Sequence, residues 1–295
     1  MPTDLMDGKV AIVTGSGGGI GRAAALMLAE HGASVVVNDI DSDLASETAE
    51  TIRGSGSEVV SFPCDVRQAA SVRKLVATAV ATFGHVDTLV NNVGHYMHPT
   101  AHFVDTTERD WDELFALNAK TVFLCSQAVL PGMIERREGG SIINLTTIES
   151  LRGYPNRVVY SATKAAVSGF TRSLASLVAP HQIRVNEIAP DKTWTPQTSP
   201  GYERLTAYHA DLIPWWVPIG RLGRPEDTAG AILFLASDLS AFITGAIINA
   251  DGGTLAAAGW FRNSEGTYVN TPSNQTLPGQ PTGFARPIPP RGPEE

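Results

Sequence analysis

Cysteine is nearly absent from this chain of 295 residues, with Cys64 and Cys125 the whole supply. Two thiols outside any CxxC or Cys/His spacing neither build a disulfide framework nor hold zinc. Both read as small buried apolar side chains, and no metal is expected. Basic charge is also short, 22 Lys and Arg against 30 Asp and Glu for a net charge of −8. That balance repels a phosphate backbone and an anionic lipid surface, so neither nucleic acid nor a membrane is an expected partner. No run reaches the roughly 18 uncharged apolar residues of a spanning helix. Met1 to Gly8 carries two aspartates and no basic region ahead of an apolar stretch. The expected location is the cytoplasm.

What the chain does have is 43% hydrophobic residues, set out as short β-branched runs alternating with longer helical patterns. Such alternation belongs to βαβ units on a parallel sheet buried on both faces. Seven strands are predicted, at Val10–Thr14, Ser34–Asp39, Val59–Pro63, Thr88–Asn91, Ser141–Leu145, Arg184–Ala189 and Ala246–Asn249. Apolar residues at three- and four-residue spacing predict helices over Ile20–His31, Leu44–Arg53, Ala69–Phe83, Trp111–Ile134, Ser161–Val178 and Pro225–Ala236. The alternation stops near Gly253, and from Thr271 onward seven prolines exclude a propagating helix or a central strand. Residues 259–295 therefore read as a Pro-rich extension, either disordered or laid on a neighbouring surface.

The first strand runs into Thr14-Gly15-Ser16-Gly17-Gly18-Gly19-Ile20-Gly21 and then an Ala- and Leu-rich helix. A glycine turn there lets backbone amides and the positive helix end approach a pyrophosphate. The spacing is TGxxxGxG rather than the common GxGxxG. Asp39 ends the second strand eighteen positions after Gly21, near the ~20 at which a carboxylate bonds a ribose hydroxyl. That carboxylate would repel a 2′-phosphate, and no arginine stands at position 16 or directly after Asp39. The expected cofactor is NAD rather than NADP.

Residues 7 to 256 resemble the classical short-chain dehydrogenases/reductases. The motifs stand in that family's order: TGSGGGIG, Cys64-Asp65-Val66, Asn91-Asn92-Val93-Gly94, Asn118, Tyr160-Ser-Ala-Thr-Lys164, Ile188-Ala-Pro190 and Asp251-Gly-Gly253. The resemblance implies an α/β fold. It is a single doubly wound Rossmann-type domain, a seven-stranded parallel sheet flanked by helices, over residues 1–258, assembled as a homotetramer or homodimer. It also implies a cofactor site at Gly15, Ser16, Gly19, Ile20, Gly21, Asp39, Asp65, Val66, Asn92, Gly94, Tyr160, Lys164, Pro190, Thr193 and Thr195, with Asn91 near the ribose.

Removing hydride from a secondary alcohol needs a base for the hydroxyl proton, and a phenol of pKa near 10 is a poor one at neutral pH. Tyr160 and Lys164 lie four residues apart on one face of a predicted helix, where an ammonium would pull the phenol's pKa down. The resemblance adds Asn118 as the residue that positions a proton-relay water. It also puts Thr147, thirteen residues before Tyr160, where the family carries its catalytic serine. A threonine hydroxyl still donates, though its methyl alters the pocket. Asp191 replaces the usual glycine after Pro190, and its charge is expected to favour the oxidised cationic nicotinamide.

Between Trp194 and Val217 aromatic residues concentrate, although they make up only 7% of the chain. Residues 193–217 are the expected substrate lid, with Trp194, Tyr208 and Trp215 joined by Tyr96 and Tyr154 around a hydrophobic, ring-containing substrate. The expected activity is NAD-dependent oxidation or reduction of a cyclic or steroid-like secondary alcohol or ketone. A 3-oxoacyl thioester reductase is the enzymatic alternative, and a non-catalytic NAD-binding regulatory protein is the alternative of another class.

Overall fold

The structure is a computed structural model that describes residues 4–97, 103–155, 157–199, 202–203, 213–258, 261–262 and 268–269, without the side chains of 215, 261, 262, 268 and 269. Its strands are β1 (Val10–Thr14), β2 (Ser34–Asn38), β3 (Val59–Ser61), β4 (Thr88–Asn91), β5 (Gly140–Leu145), β6 (Ile183–Pro190) and β7 (Ile247–Ala250). They form one parallel sheet in the order β3-β2-β1-β4-β5-β6-β7. Each strand carries apolar residues on both faces, as a doubly covered sheet requires.

Helices α1 (Gly19–Glu30), α2 (Ser42–Gly54), α3 (Ala69–Phe83), α4 (Glu108–Phe115), α5 (Thr121–Arg136), α6 (Val158–Val178) and α7 (Pro225–Ala236) cover the two faces. Ala24, Leu28, Val35, Ile188 and Ile232 belong to the core layer on the α1 and α7 side. Ile12, Leu75, Leu89, Met133 and Val185 belong to the layer under α3, α5 and α6. Burial pushes the Cys125 thiol up to about 12, which suits a residue that only fills space.

Three local features depart from the expected boundaries, each for a local reason. Helix α2 begins two residues early because the Asp41 side chain accepts from Asp43 N and Leu44 N, a cap outside the apolar periodicity. The single helix expected over Trp111–Ile134 is interrupted by a π-helical turn, Ala116–Lys120, which the spacing of apolar residues does not betray. Helix α6 starts at Val158, so Tyr160 sits in its first turn. In the C-terminal extension Phe261–Arg262 pairs antiparallel with Tyr268–Val269, a ribbon that the sequence reading did not anticipate. Asn263, Ser264 and Gly266 between them were the available turn signal. Residues 271–295 lie outside the described part.

Running from Glu108 to Arg136, the interrupted helix is long and apolar enough to match a membrane span by length alone. Val122, Cys125, Val129 and Met133 of α5 are nonetheless buried, the last three in the sheet core.

At the edge of the sheet opposite the strand carboxyl ends, Asp87 ties three segments together. Its carboxylate accepts from Val10 N at 2.8 Å, pairs with His85 Nε2 at 2.9 Å and holds the Arg136 guanidinium at the end of α5. At 6% exposure it has little water to fall back on. Asp87→Ala leaves the buried Val10 amide unpaired and Arg136 with only the exposed Glu138, and is expected to cost about 3 kcal/mol in urea unfolding without changing cofactor affinity.

Candidate active site

Strand order reverses between β1 and β4, and at that point the carboxyl ends of the strands frame a cavity of about 700 Å³. One end is built from the glycine turn. Gly18 caps α1 without a side chain, and Gly19 holds a left-handed backbone (φ +54°) that other residues adopt with strain. Gly15, Gly18, Gly19 and Ile20 line the cavity. Ser16 and Gly21 do not. The Ser16 hydroxyl donates to Val13 O at 2.8 Å and accepts from Asn38 N, bracing β1 to β2. Gly21 faces its own loop, where a Cβ would stand 2.2 Å from Gly15 O.

Asp39 reaches the cavity while its carboxylate accepts from Gly17 N at 2.9 Å and Asp41 N at 3.1 Å, so loop and acid fix each other. Asp65 and Val66 also line this end. Arg67, which the sequence reading missed, lies beside them, and its Nε and Nη2 grip the Asp65 carboxylate at 2.8–3.0 Å. That grip holds the Asp65 carboxyl below the ordinary carboxylate range. Its proximity to Asp65 in sequence was the only signal.

Asn92 borders the cavity with its side-chain amide donated to Thr14 O and Gly15 O, at 3.0 and 2.9 Å. At Gly94 a Cβ would stand 2.7 Å from Lys164 Nζ and 3.0 Å from Asn118 Oδ1. Bare backbone therefore faces the lysine, and a dinucleotide fits this trough: glycine backbone for the phosphates, a carboxylate for the ribose, and Lys164 at the far end. Pro190, Thr193 and Thr195 complete the opposite wall.

At that far end Thr147, Tyr160 and Lys164 border the cavity. Asn118 does not; it is fully buried behind them on the π-helical turn. Its side chain donates to His95 O and Leu114 O and accepts from His95 N, all at 3.0 Å. The widened turn is what lets the amide bond a carbonyl of its own helix. The Thr147 hydroxyl donates to Pro190 O at 3.2 Å and accepts from Glu149 N.

Lys164 Nζ donates to Leu145 O at 2.8 Å and stands 5.9 Å from the Tyr160 ring centre. Burial is the largest influence on both groups. It pushes the lysine down to about 8 and the phenol well up, with Tyr154 and Glu149 adding to the rise. The expected lowering of the phenol by the lysine is not what this arrangement shows: burial dominates, and the cation that opposes it is Arg157.

A second finding concerns Asp191. Its side chain is 8% exposed and is held by Arg152 at 3.5 Å, Lys192 at 3.6 Å and the Thr254 hydroxyl at 2.8 Å. Arg152 also grips Glu149, which lines the cavity. The expected bias toward an oxidised nicotinamide needs an unpaired negative charge, and two cations remove it. Neither Glu149 nor Arg152 was legible as a site residue, since only folding brings the Thr147 turn against the ends of β6 and β7.

Tyr96 and Tyr154 line the substrate end with His95, Gln197 and Tyr202. Tyr96 meets Tyr160 edge to face at 6.3 Å, donates to Gln197 O and lies under the Arg157 guanidinium. Trp194 turns away into a second cavity of about 490 Å³ beside α1. Tyr208 and the Trp215 side chain lie outside the described residues, as do His98 and His102.

Residues 15–254 match the family model described as Enoyl-(Acyl carrier protein) reductase. A protein from Thermotoga maritima named an uncharacterized oxidoreductase is 41% identical over 255 residues, 84% of this chain and 98% of its own. The 3-oxoacyl-(acyl-carrier-protein) reductase of the same organism is 37% identical over 248 residues, 84% of this chain and 98% of its own. A crystal structure of a short-chain type dehydrogenase/reductase from Mycobacterium marinum superposes with TM-score 0.78 at 34% identity, covering 86% of this chain and 97% of the other.

The lowered proton affinity of Lys164 sets the sign of a pH effect. Between the folded value of about 8 and the ordinary 10.5 the unfolded chain binds the extra proton, so this group makes stability rise with pH across that window. In urea unfolding the parent is expected to gain about 2 kcal/mol on Lys164→Met between pH 8 and pH 10. Parallel curves would contradict the buried ammonium.

Proposed function

The chain belongs to the short-chain dehydrogenase/reductase family of oxidoreductases, and on that premise we propose that it is an NAD-dependent enzyme interconverting a hydrophobic cyclic secondary alcohol, steroid-like in bulk, with its ketone. The observation that carries this reading is the convergence of Tyr160, Lys164 and Thr147 on one end of a trough whose other end presents Asp39. Bound in that trough, NAD supplies a hydride acceptor.

The residues divide the remaining chemistry. Tyr160 exchanges the proton of the substrate hydroxyl, and its raised proton affinity keeps it a donor at neutral pH, which suits ketone reduction. Lys164 places a cation behind the phenol and beside the ribose. Thr147 offers its hydroxyl to the carbonyl oxygen, where one such donor is worth a few kcal/mol in the transition state. Asn118 fixes the turn before His95 and stands behind the lysine as a relay point for water-borne protons.

NAD is favoured over NADP by Asp39, and Arg67 supplies no free cation for a 2′-phosphate because Asp65 neutralises it. Four tyrosines, Tyr96, Tyr154, Tyr160 and Tyr202, support a ring-shaped substrate. The likeness to a 3-oxoacyl thioester reductase supports that class as the second reading. Residues 193–217 serve as the lid, residues 1–258 as the catalytic domain and residues 259–295 as the extension. Exposed Trp111 and Phe123 on α4 and α5, with exposed Leu239 and Phe242 near β7, support assembly into a homotetramer or homodimer in the cytoplasm.

Reduced nicotinamide formation with cyclic, steroidal and aromatic secondary alcohols tests the activity, with 3-hydroxyacyl thioesters beside them. Turnover is expected with the cyclic alcohols and absent in Tyr160→Phe; turnover of thioesters alone selects the second reading. Thr147→Ala is expected to lose roughly 10² in kcat while Thr147→Ser retains most of it, and equal losses would remove Thr147 from the chemistry. Asp39→Ala is expected to weaken NAD binding at least tenfold while leaving NADP binding level or improved, read by titration calorimetry.

A further inference from the structure

Glu187, in the middle of β6, is fully buried, and neither of its carboxyl oxygens makes a hydrogen bond to any described residue. A carboxyl in that condition is costly unless a charge compensates it. Strand alternation shows where it points. Val185 belongs to the core layer under α5 and α6 and Ile188 to the opposite layer, so Glu187 projects with Val185 toward α6.

In the β5–β6 register Glu187 faces Asn144, one step before Leu145 faces Ile188. Leu145 O is the atom that receives Lys164 Nζ. A carboxyl from β6 and an ammonium from α6 thus enter the same dry space around the end of β5. The other groups there are neutral: Asn144 bonded to Asn91 and Thr171, Ser168 near but outside hydrogen-bonding geometry, and Asn118 on the π-helical turn. Arg172, exposed one helical turn past Ser168, is a second cation that acts on the Glu187 carboxyl from the solvent side. Tyr160, one turn before Lys164, is a further titratable neighbour of the lysine.

We propose that Glu187 is the counter-charge of Lys164, a positioning residue that keeps the lysine protonated from the side opposite the cofactor trough. The proposal rests on the reading in which Lys164 serves Tyr160 as a cation. The electrostatics agree in direction: burial drives Lys164 down to about 8 with Glu187 holding it up, while burial drives Glu187 up and Ser168, Arg172 and Lys164, in that order, pull it back. A cation placed against a phenol in a desolvated site is lost when its proton leaves. Without the buried carboxylate that loss would fall within the neutral range.

The test needs no substrate, so its outcome is separate from whether the chain turns over an alcohol. The protein has five lysines, Lys9, Lys74, Lys120, Lys164 and Lys192, few enough to follow singly by 13C-labelled lysine NMR. Lys164 is expected to titrate near pH 8 in the parent. In Glu187→Gln its midpoint is expected about one unit lower while the other four stay in place, and Glu187→Asp, which keeps the charge, should return most of the shift. An unmoved midpoint, or equal shifts in both variants, would overturn the assignment. Reciprocity supplies a second measurement that does not depend on substituting Glu187: in Lys164→Met the Glu187 carboxyl, followed at its 13Cδ, is expected to titrate at higher pH than in the parent, and an unchanged midpoint there also overturns it.

Discussion

A parallel sheet whose strand order reverses between β1 and β4 leaves a gap at its carboxyl edge that none of the described helices fills, and the rest of the molecule is arranged around that gap. The connections from β1 and β4 leave the sheet on opposite sides, so the loops after the two strands part. Into the parting go the glycine turn after β1, Asp39 after β2, Asp65 after the third strand and the Asn92–Gly94 turn after β4. The chain supplies bare backbone on one side and a few charged groups on the other.

Dryness governs what those groups do. Tyr160 and Lys164 are buried deeply enough that desolvation, rather than their attraction, sets their proton affinities in the protein alone. The buried polar seam of Asn91, Asn144, Thr171 and Asn118 is bonded side chain to side chain or to backbone, which fixes α5 and α6 against the sheet in one register. Asp87 does the corresponding work at the opposite edge, where Lys9, His85 and Arg136 surround one carboxylate and the site is far away. Stability and chemistry are thus separated along the strands.

Two substitutions against the family pattern are absorbed in different ways. Thr147 keeps a hydroxyl where a serine is usual, and that hydroxyl is held by Pro190 O at the end of β6. Asp191 brings a charge where a glycine is usual. Arg152, Lys192 and Thr254 gather round it, so the end of β6 is tied by an ion pair to the turn after β5 and by a hydroxyl to the turn after β7. Glu149 shares Arg152 and carries that pairing to the wall of the substrate end.

The sequence by itself determined the seven strands, the helical layers, the glycine turn and the Tyr160–Lys164 pair, because each depends on local periodicity or on residues a few positions apart, while Thr147 was placed by the family resemblance and Asp39 by its distance from the glycine turn. Strands β1 and β4 and helices α3 and α7 fall where spacing alone puts them. Only the tertiary structure decided which of the predicted residues face the cavity. Ser16, Gly21 and Asn118 stand behind its wall and Trp194 turns into another cavity, while Arg67, Glu149 and Tyr202 come forward. It also decided the charges, since the pairing of Asp191, the isolation of Glu187 and the dryness around Lys164 join residues tens of positions apart. Periodicity reports which face of an element is buried; the neighbours found there, and the water they exclude, exist only once the elements have packed.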